Sequence, residues 1–337
     1  MPSRSTSAPV HEEPVYEEDA MSQSIERPEP TPLPEPTPLP HITAPSGRAP
    51  GPRTLRKPRS VRWESAWVRL PVLFVLLLAV NGLTTLINGV ADATPVTGLL
   101  SGVATAGLAL GAYVWLVRRL ESRRSPAELR PANARSELRT GALLGLGMFS
   151  LVIAVIAMGG GYHLEGWGTF GGALTTLGVM TCVAVTEELA FRGALFRVLE
   201  EKTGTWGALA ASGLLFGALH MVNPDATVWG GLAIAVEAGL LFGSVYAATR
   251  SLWLPIGLHL GWNMAEGGIF GTTVSGSDAG QGSLFTASVS GPEALTGGAF
   301  GPEASPVAIV ICLIPTVLFL REAKRRDRFH ARARADR

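Results

Sequence analysis

From residue 66 to residue 320 the chain alternates long apolar runs with short polar connections. A helix needs about 20 apolar residues to cross the hydrocarbon core of a bilayer. Eight runs approach that length: 67–90, 97–117, 140–159, 171–195, 205–221, 227–248, 253–271 and 305–320. The last is short and holds Pro315, which a membrane helix accommodates as a kink. Residues 1–60 show no apolar periodicity. The pattern predicts an all-α fold, a polytopic membrane helical bundle of about eight transmembrane helices over 66–321. A disordered, Pro-rich cytoplasmic tail (1–62) is expected before it and a basic cytoplasmic tail (322–337) after it.

Charge sharpens this picture. Only 16% of the 337 residues are charged, against about 25% in soluble domains, and residues 70–320 carry 26 of the charges. A purely soluble enzyme is excluded, and no nucleic-acid partner is expected. Lysine and arginine gather on the cytoplasmic side of membrane proteins. The connections 81–97, 159–170, 222–227 and 271–304 contain neither, whereas 118–139 holds seven arginines and the segment from Arg321 onward eight basic residues. With eight spans every basic connection falls on one side, so both termini are expected in the cytoplasm and the protein in the plasma membrane. Trp67, Trp115, Trp206 and Trp253 then mark the inner interface, and Trp167 and Trp229 the outer one.

The remaining segments carry less. Pro28–Pro40 reads PEPTPLPEPTPLP, an extended, polyproline-like spacer. It is either a docking site for a protein partner or a tether whose basic end meets anionic lipid. The arginine-rich linker 118–139 is expected on the inner membrane surface. The Gly- and Ser-rich segment 271–304, with Asp278, Glu293 and Glu303, reads either as a floppy loop or as a lid. Cys182 and Cys312 lie in apolar runs without metal-ligand spacing and are expected to be packing residues.

Ionisable residues inside a span are costly and point to function. The fourth run carries Thr186-Glu187-Glu188-Leu189-Ala190-Phe191-Arg192, the fifth Phe216-Gly217-Ala218-Leu219-His220, and the seventh His259-Leu260-Gly261-Trp262-Asn263. Glu237 lies midway along the sixth, and Glu266 just beyond Asn263. Glu188 and Arg192 are spaced i, i+4 and can pair. Glu187 points about 100° away from them, without an intrahelical partner. It is a candidate general base toward water, or a metal ligand. His259 and Asn263 share a face. Counting at 1.5 Å per residue from a reversal near Thr203-Gly204 puts Glu187 and His220 level, each roughly 24 Å away. If that hairpin protrudes about 10 Å into the cytosol, with Arg197, Glu200, Glu201 and Lys202 in water, His259 and Asn263 join them in the cytosolic half of the bilayer. A carboxylate base, two imidazoles and an amide donor suit water attack on a carbonyl.

Taken in order, Glu187-Glu188-x-x-x-Arg192, Phe216-x-x-x-His220 and His259-x-x-x-Asn263 resemble the three motifs of the CPBP family. These are the CAAX-protease and bacteriocin-processing intramembrane proteases, related to the type II CAAX prenyl endopeptidases. Ser251 to His259 is similar to that family's lead-in to its third motif. The resemblance covers roughly 140–270. It implies that Glu187 and His220 activate water, that His259 and Asn263 orient the carbonyl or hold the oxyanion, and that Glu188 and Arg192 shape the first motif. It also implies a metalloprotease, with zinc (Zn2+) held by Glu187, His220 and His259. A metal-free site, in which Glu187 and His220 polarise water directly, fits the same residues. Glu237 reads as a supporting residue behind the site or as a helix-packing group.

The leading expectation is an endopeptidase that cuts a membrane-bound or hydrophobic peptide or protein substrate near the cytosolic leaflet, with membrane lipid as its surroundings. Prenylated substrates are implied by the eukaryotic relatives alone. A non-proteolytic immunity or scaffold protein of the same family is the alternative. A proton-coupled transporter is disfavoured because the polar residues cluster in runs four to seven without inverted-repeat halves.

Overall fold

The structure is a computed structural model that describes residues 65–331, apart from 92, 122, 124 and 278–281. The expectations for the tail 1–62 lie outside the described residues. Among the described residues, six helices are long and apolar enough to cross a membrane. These are α1 (Ala66–Ala91), α2 (Pro95–Leu120), α3 (Ala134–Met158), a continuous stretch Phe170–His220, a stretch Val228–Thr249 and α10 (Pro306–Arg325). The fourth is really two helices. Its 51 residues reverse at Gly204, whose φ of 74° lies in the left-handed region open to glycine. The chain runs through α4 (Phe170–Glu188) and on to Thr203, inside α5 (Arg197–His220), before the reversal, and the rest of α5, from Thr205, carries it back. The eighth helix, α8 (Trp253–Asn263), falls short of full span length by itself and is prolonged by a π-helical turn at Met264–Ile269. The chain is thus a polytopic all-α membrane bundle.

Glycine sets the closest helix pairs. A Cβ on Gly102 of α2 would lie 2.0 Å from the Gly178 carbonyl of α4. One on Gly261 of α8 would lie 2.0 Å from the Ala142 carbonyl of α3, and one on Gly145 of α3 would lie 2.1 Å from the Leu258 carbonyl. Backbones approach this closely in membranes because small residues replace hydrophobic drive with packing. The result fixes α8, and with it His259 and Asn263, against α3.

The connections depart from expectation on both sides. The linker 118–139 does not simply lie on a surface. Glu128 is buried, bonded to Arg123 (2.6 Å) and to the Tyr113 hydroxyl (2.6 Å), and Arg197 reaches Glu121 (2.8 Å). Glu200 is also buried, bonded by Thr205 (2.6 Å) and Arg250. Arg197 and Glu200 are therefore largely out of water: pairing offsets their desolvation cost, and the hairpin tip is knitted into the bundle. The segment 326–331 packs there too, with the His330 amide donating to Thr205 Oγ1 (2.9 Å).

On the opposite side, 271–304 is ordered wherever it is described. β2 (Phe285–Val289) pairs antiparallel with β1 (Tyr162–Trp167), followed by a short α9 (Glu293–Thr296). Phe300, Glu303 and Ala304 are buried, and the Trp229 indole donates to the Ala304 carbonyl (2.8 Å). The segment is a cap. Cys182 and Cys312 are buried free thiols.

Candidate active site

α4 loses its regular hydrogen-bond ladder immediately after the paired glutamates. Residues Leu189–Phe196 are π-helical, as are Ala235–Leu240 between α6 (Val228–Ile234) and α7 (Leu241–Thr249), and Met264–Ile269 after α8. Each irregular segment begins beside, or contains, a polar residue of the interior: Glu187 and Glu188, Glu237, and Asn263 with Glu266. Such bulges recur at functional sites because the wider turn re-aims side chains.

Adjacent in sequence, Glu187 and Glu188 meet different surroundings. Glu188 is fully buried. Its Oε1 accepts from Arg192 Nη1 (2.8 Å) and lies 3.2 Å from His259 Nδ1. Arg192 also donates to the carbonyls of Ala238 (2.8 Å) and Gly239 (3.2 Å). Its guanidinium lies between the rings of Phe216 and Phe242, 4.9 and 5.0 Å from their centroids. Glu187 faces the other way. Its Oε2 has no hydrogen-bond partner and stands 3.9 Å from His259 Nε2.

Both imidazoles are oriented. His220 Nδ1 lies 2.8 Å from the Phe216 carbonyl, which can only accept, so Nδ1 carries the proton and Nε2 is the free ring nitrogen. A carboxylate at His259 Nδ1 likewise leaves Nε2 toward Glu187. The Phe216 ring packs on His220, centroids 4.7 Å apart, so the phenylalanine of the second motif holds its histidine through both carbonyl and ring. Asn263 Nδ2 meets only the Met180 sulfur, at 3.7 Å, a weak acceptor that a carbonyl oxygen displaces easily.

Glu187, His220, His259 and Asn263 line one cavity of about 400 Å³. Glu187 and His220 also line a second, of about 190 Å³, against Leu78 and Asn81 of α1. The four residues that sequence reasoning singled out are thus brought together, and Glu237 joins them on the wall of the larger cavity, making no hydrogen bond to a neighbouring helix. Glu266 is buried nearby, beside Glu303, and does not line it.

Three features escaped sequence reasoning. Glu303 of the cap reaches the larger cavity, and nothing in a Gly- and Ser-rich loop marks it. Asn81, bonded by the Thr186 hydroxyl (2.7 Å), was visible as an amide inside an apolar run. Depth was also misjudged. His220 is the last residue of α5, and Asn223, Val274, Ser275 and Ser277 line the cavity, so it adjoins the connections that lack lysine and arginine.

The donors do not fit a zinc ion as placed. Among the described residues no three His, Cys, Asp or Glu side chains are gathered closely enough to hold a metal, so Glu187, His220 and His259 share a cavity without forming a ligand set. The chemistry is therefore derived from the side chains themselves.

With this geometry established, known proteins bear out the resemblance seen in the motifs. Residues 169–265 match the family described as "Type II CAAX prenyl endopeptidase Rce1-like". That stretch holds all three motifs. The chain is also 33% identical over 79 residues to the protein named "Putative membrane peptidase YdiL" of Bacillus subtilis (strain 168). The aligned part is 23% of this chain and spans about a third (30%) of that relative's length. No solved structure matches the chain.

Proposed function

We propose that this protein is an intramembrane endopeptidase that hydrolyses a peptide bond of a membrane-associated or hydrophobic substrate. One observation carries the reading. The Glu187 carboxylate, whose Oε2 accepts no hydrogen bond, and His220 both line two cavities, with His259 and Asn263 on the wall of the larger one. A chain cut in its middle needs room on both sides of the scissile bond, and the two cavities supply it. The match to the Rce1-like family and to a membrane peptidase supports the same class of reaction.

The steps follow from the geometry. Water bound between Glu187 and His220 Nε2 gives a proton to Glu187 as its oxygen attacks the carbonyl carbon. The oxyanion that forms takes hydrogen bonds from the Asn263 amide and from His259 when its Nε2 is protonated, with Glu188 balancing the imidazolium. Glu187 then returns the proton to the leaving amine, and the C–N bond breaks. Glu188 and Arg192 touch no substrate and hold His259 in orientation. The charge distribution supports insertion in the plasma membrane with both termini cytoplasmic.

The test is cleavage of hydrophobic peptides by the purified protein in lipid nanodiscs. Losing a general base costs about 10²–10⁴ in rate, so Glu187→Gln and His220→Ala should fall by that order while remaining folded. A Glu187→Gln protein as active as wild type would refute the mechanism. A phenotype that survives both substitutions would point to the non-proteolytic alternative.

A further inference from the structure

Two sets of polar side chains line the larger cavity. One is Glu187, His220, His259 and Asn263. The other is two carboxylates, Glu237 from the π-helical segment and Glu303 from the cap. Glu303 is held firmly. Its Oε1 accepts from the Trp262 indole (2.7 Å), and its Oε2 accepts from the Ser275 amide (2.8 Å) and hydroxyl (2.6 Å). Glu237 is held by nothing. It is 1% exposed, and neither carboxylate oxygen has a hydrogen-bond partner. Its neighbours on the wall, Ile234, Ala238, Leu241 and Cys312, offer no strong donor. The nearby guanidinium, Arg192, directs Nη1 to Glu188 and Nη2 to two carbonyls, not to Glu237.

Burying an unpaired carboxylate is expensive, and such groups are found paired. Glu237 is therefore a place for a partner that the folded chain does not itself provide. The partner must bring several N–H donors to reach both carboxylates, as lysine (three) and arginine (five) do. It must also tolerate an apolar wall, as their methylene stems do. A bare metal ion is a poorer fit, because no three-carboxylate ligand set is gathered among the described residues.

We propose that the Glu237 and Glu303 carboxylates on the cavity wall form a subsite for a basic side chain of the substrate, a lysine or arginine close in sequence to the bond that is cut. The subsite rests on the peptidase reading for its substrate, and its own contribution is specificity: the carboxylates select which peptide enters.

The experiment uses the full chain in nanodiscs and hydrophobic peptides in which one lysine is moved residue by residue, each paired with its norleucine and acetyl-lysine counterparts. Cleavage is read as the ratio of kcat/KM, lysine over norleucine. Binding is read separately as Kd on Glu187→Gln protein, so that the subsite is tested even if no peptide is cut. At one position lysine should be favoured about tenfold or more, the scale of a charge-assisted hydrogen bond made out of water. Acetyl-lysine should behave like norleucine. In Glu237→Gln and Glu303→Gln the ratio should fall toward one. Equal binding and cleavage of lysine and norleucine peptides at every position overturns the subsite and leaves the peptidase standing. A lysine preference that persists in both variants overturns its assignment to these carboxylates. Tight lysine-dependent binding with no cleavage supports the subsite while removing the peptidase reading. The acetyl-lysine comparison needs only wild-type residues in the subsite, so a variant that fails to fold does not remove the test.

Discussion

Removing the Arg192 guanidinium should be far more damaging than removing the charge opposite it, and the reason lies in what each leaves behind. In Arg192→Leu the Glu188 carboxylate, fully buried, keeps only the His259 ring as a polar neighbour. Stranding a buried charge in this way costs about 3–5 kcal/mol. In Glu188→Gln the guanidinium retains the carbonyls of Ala238 and Gly239 at 2.8 and 3.2 Å and the two flanking phenylalanine rings. The glutamine oxygen can still accept from His259 and Arg192. That substitution should cost about 1.5–3 kcal/mol, the value of hydrogen bonds to a charged group. The double variant Glu188→Gln/Arg192→Leu strands no charge. It should be more stable than Arg192→Leu alone by at least about 1 kcal/mol. Reversible unfolding in mixed detergent micelles, followed by tryptophan fluorescence, measures all four corners of the cycle. A double variant as unstable as the sum of the singles would show that the pair is uncoupled, and the reasoning would fail.

Gly261→Val should displace α8 from α3, since its Cβ would meet the Ala142 carbonyl at 2.0 Å. Overpacking of about 1–3 kcal/mol should appear as a lowered Tm, together with lost cleavage as His259 shifts. Asn263→Ala should keep its Tm but lose about 10²-fold or more in kcat, the worth of one oxyanion donor; an unchanged kcat removes Asn263 from the site. Chelation with EDTA should leave cleavage intact, because the donors are not gathered for a metal; loss of activity restored by zinc would reverse that conclusion. Ser275→Ala removes one of the two Ser275 donors to Glu303 and should destabilise the cap by about 1 kcal/mol, read as faster hydrogen exchange across 271–304.

The sequence reveals most where its signal is local. Apolar runs mark the helices, and the i, i+4 spacing of Glu188 and Arg192 foretells their 2.8 Å contact. Counting residues from Gly204 puts Glu187 level with His220, and both border the same two cavities. It fails where partners come from far along the chain. Arg197 and Glu200 look like wet hairpin charges until Glu121 and Arg250 are seen beside them. Glu303 looks like loop decoration until the cap folds inward. The π-helical segments are equally silent, because one extra residue per turn leaves an apolar pattern nearly unchanged over six to eight residues.

Two neighbouring glutamates in an apolar helix need not be equivalent, and here their environments assign their roles. Glu188 is wholly buried between a guanidinium and an imidazole, which hold it in place. It lines neither cavity, so it is suited to steadying His259 rather than to taking a proton from water. Glu187 has a free oxygen and open volume on two sides, so it can reach water and accept one. Exchanging the burdens tests the division. Glu188→Gln should leave the Glu187 base in place and reduce turnover by loosening His259, whereas Glu187→Gln should remove the base outright. The larger loss should fall on the glutamate that makes fewer contacts, the reverse of what contact loss alone would give.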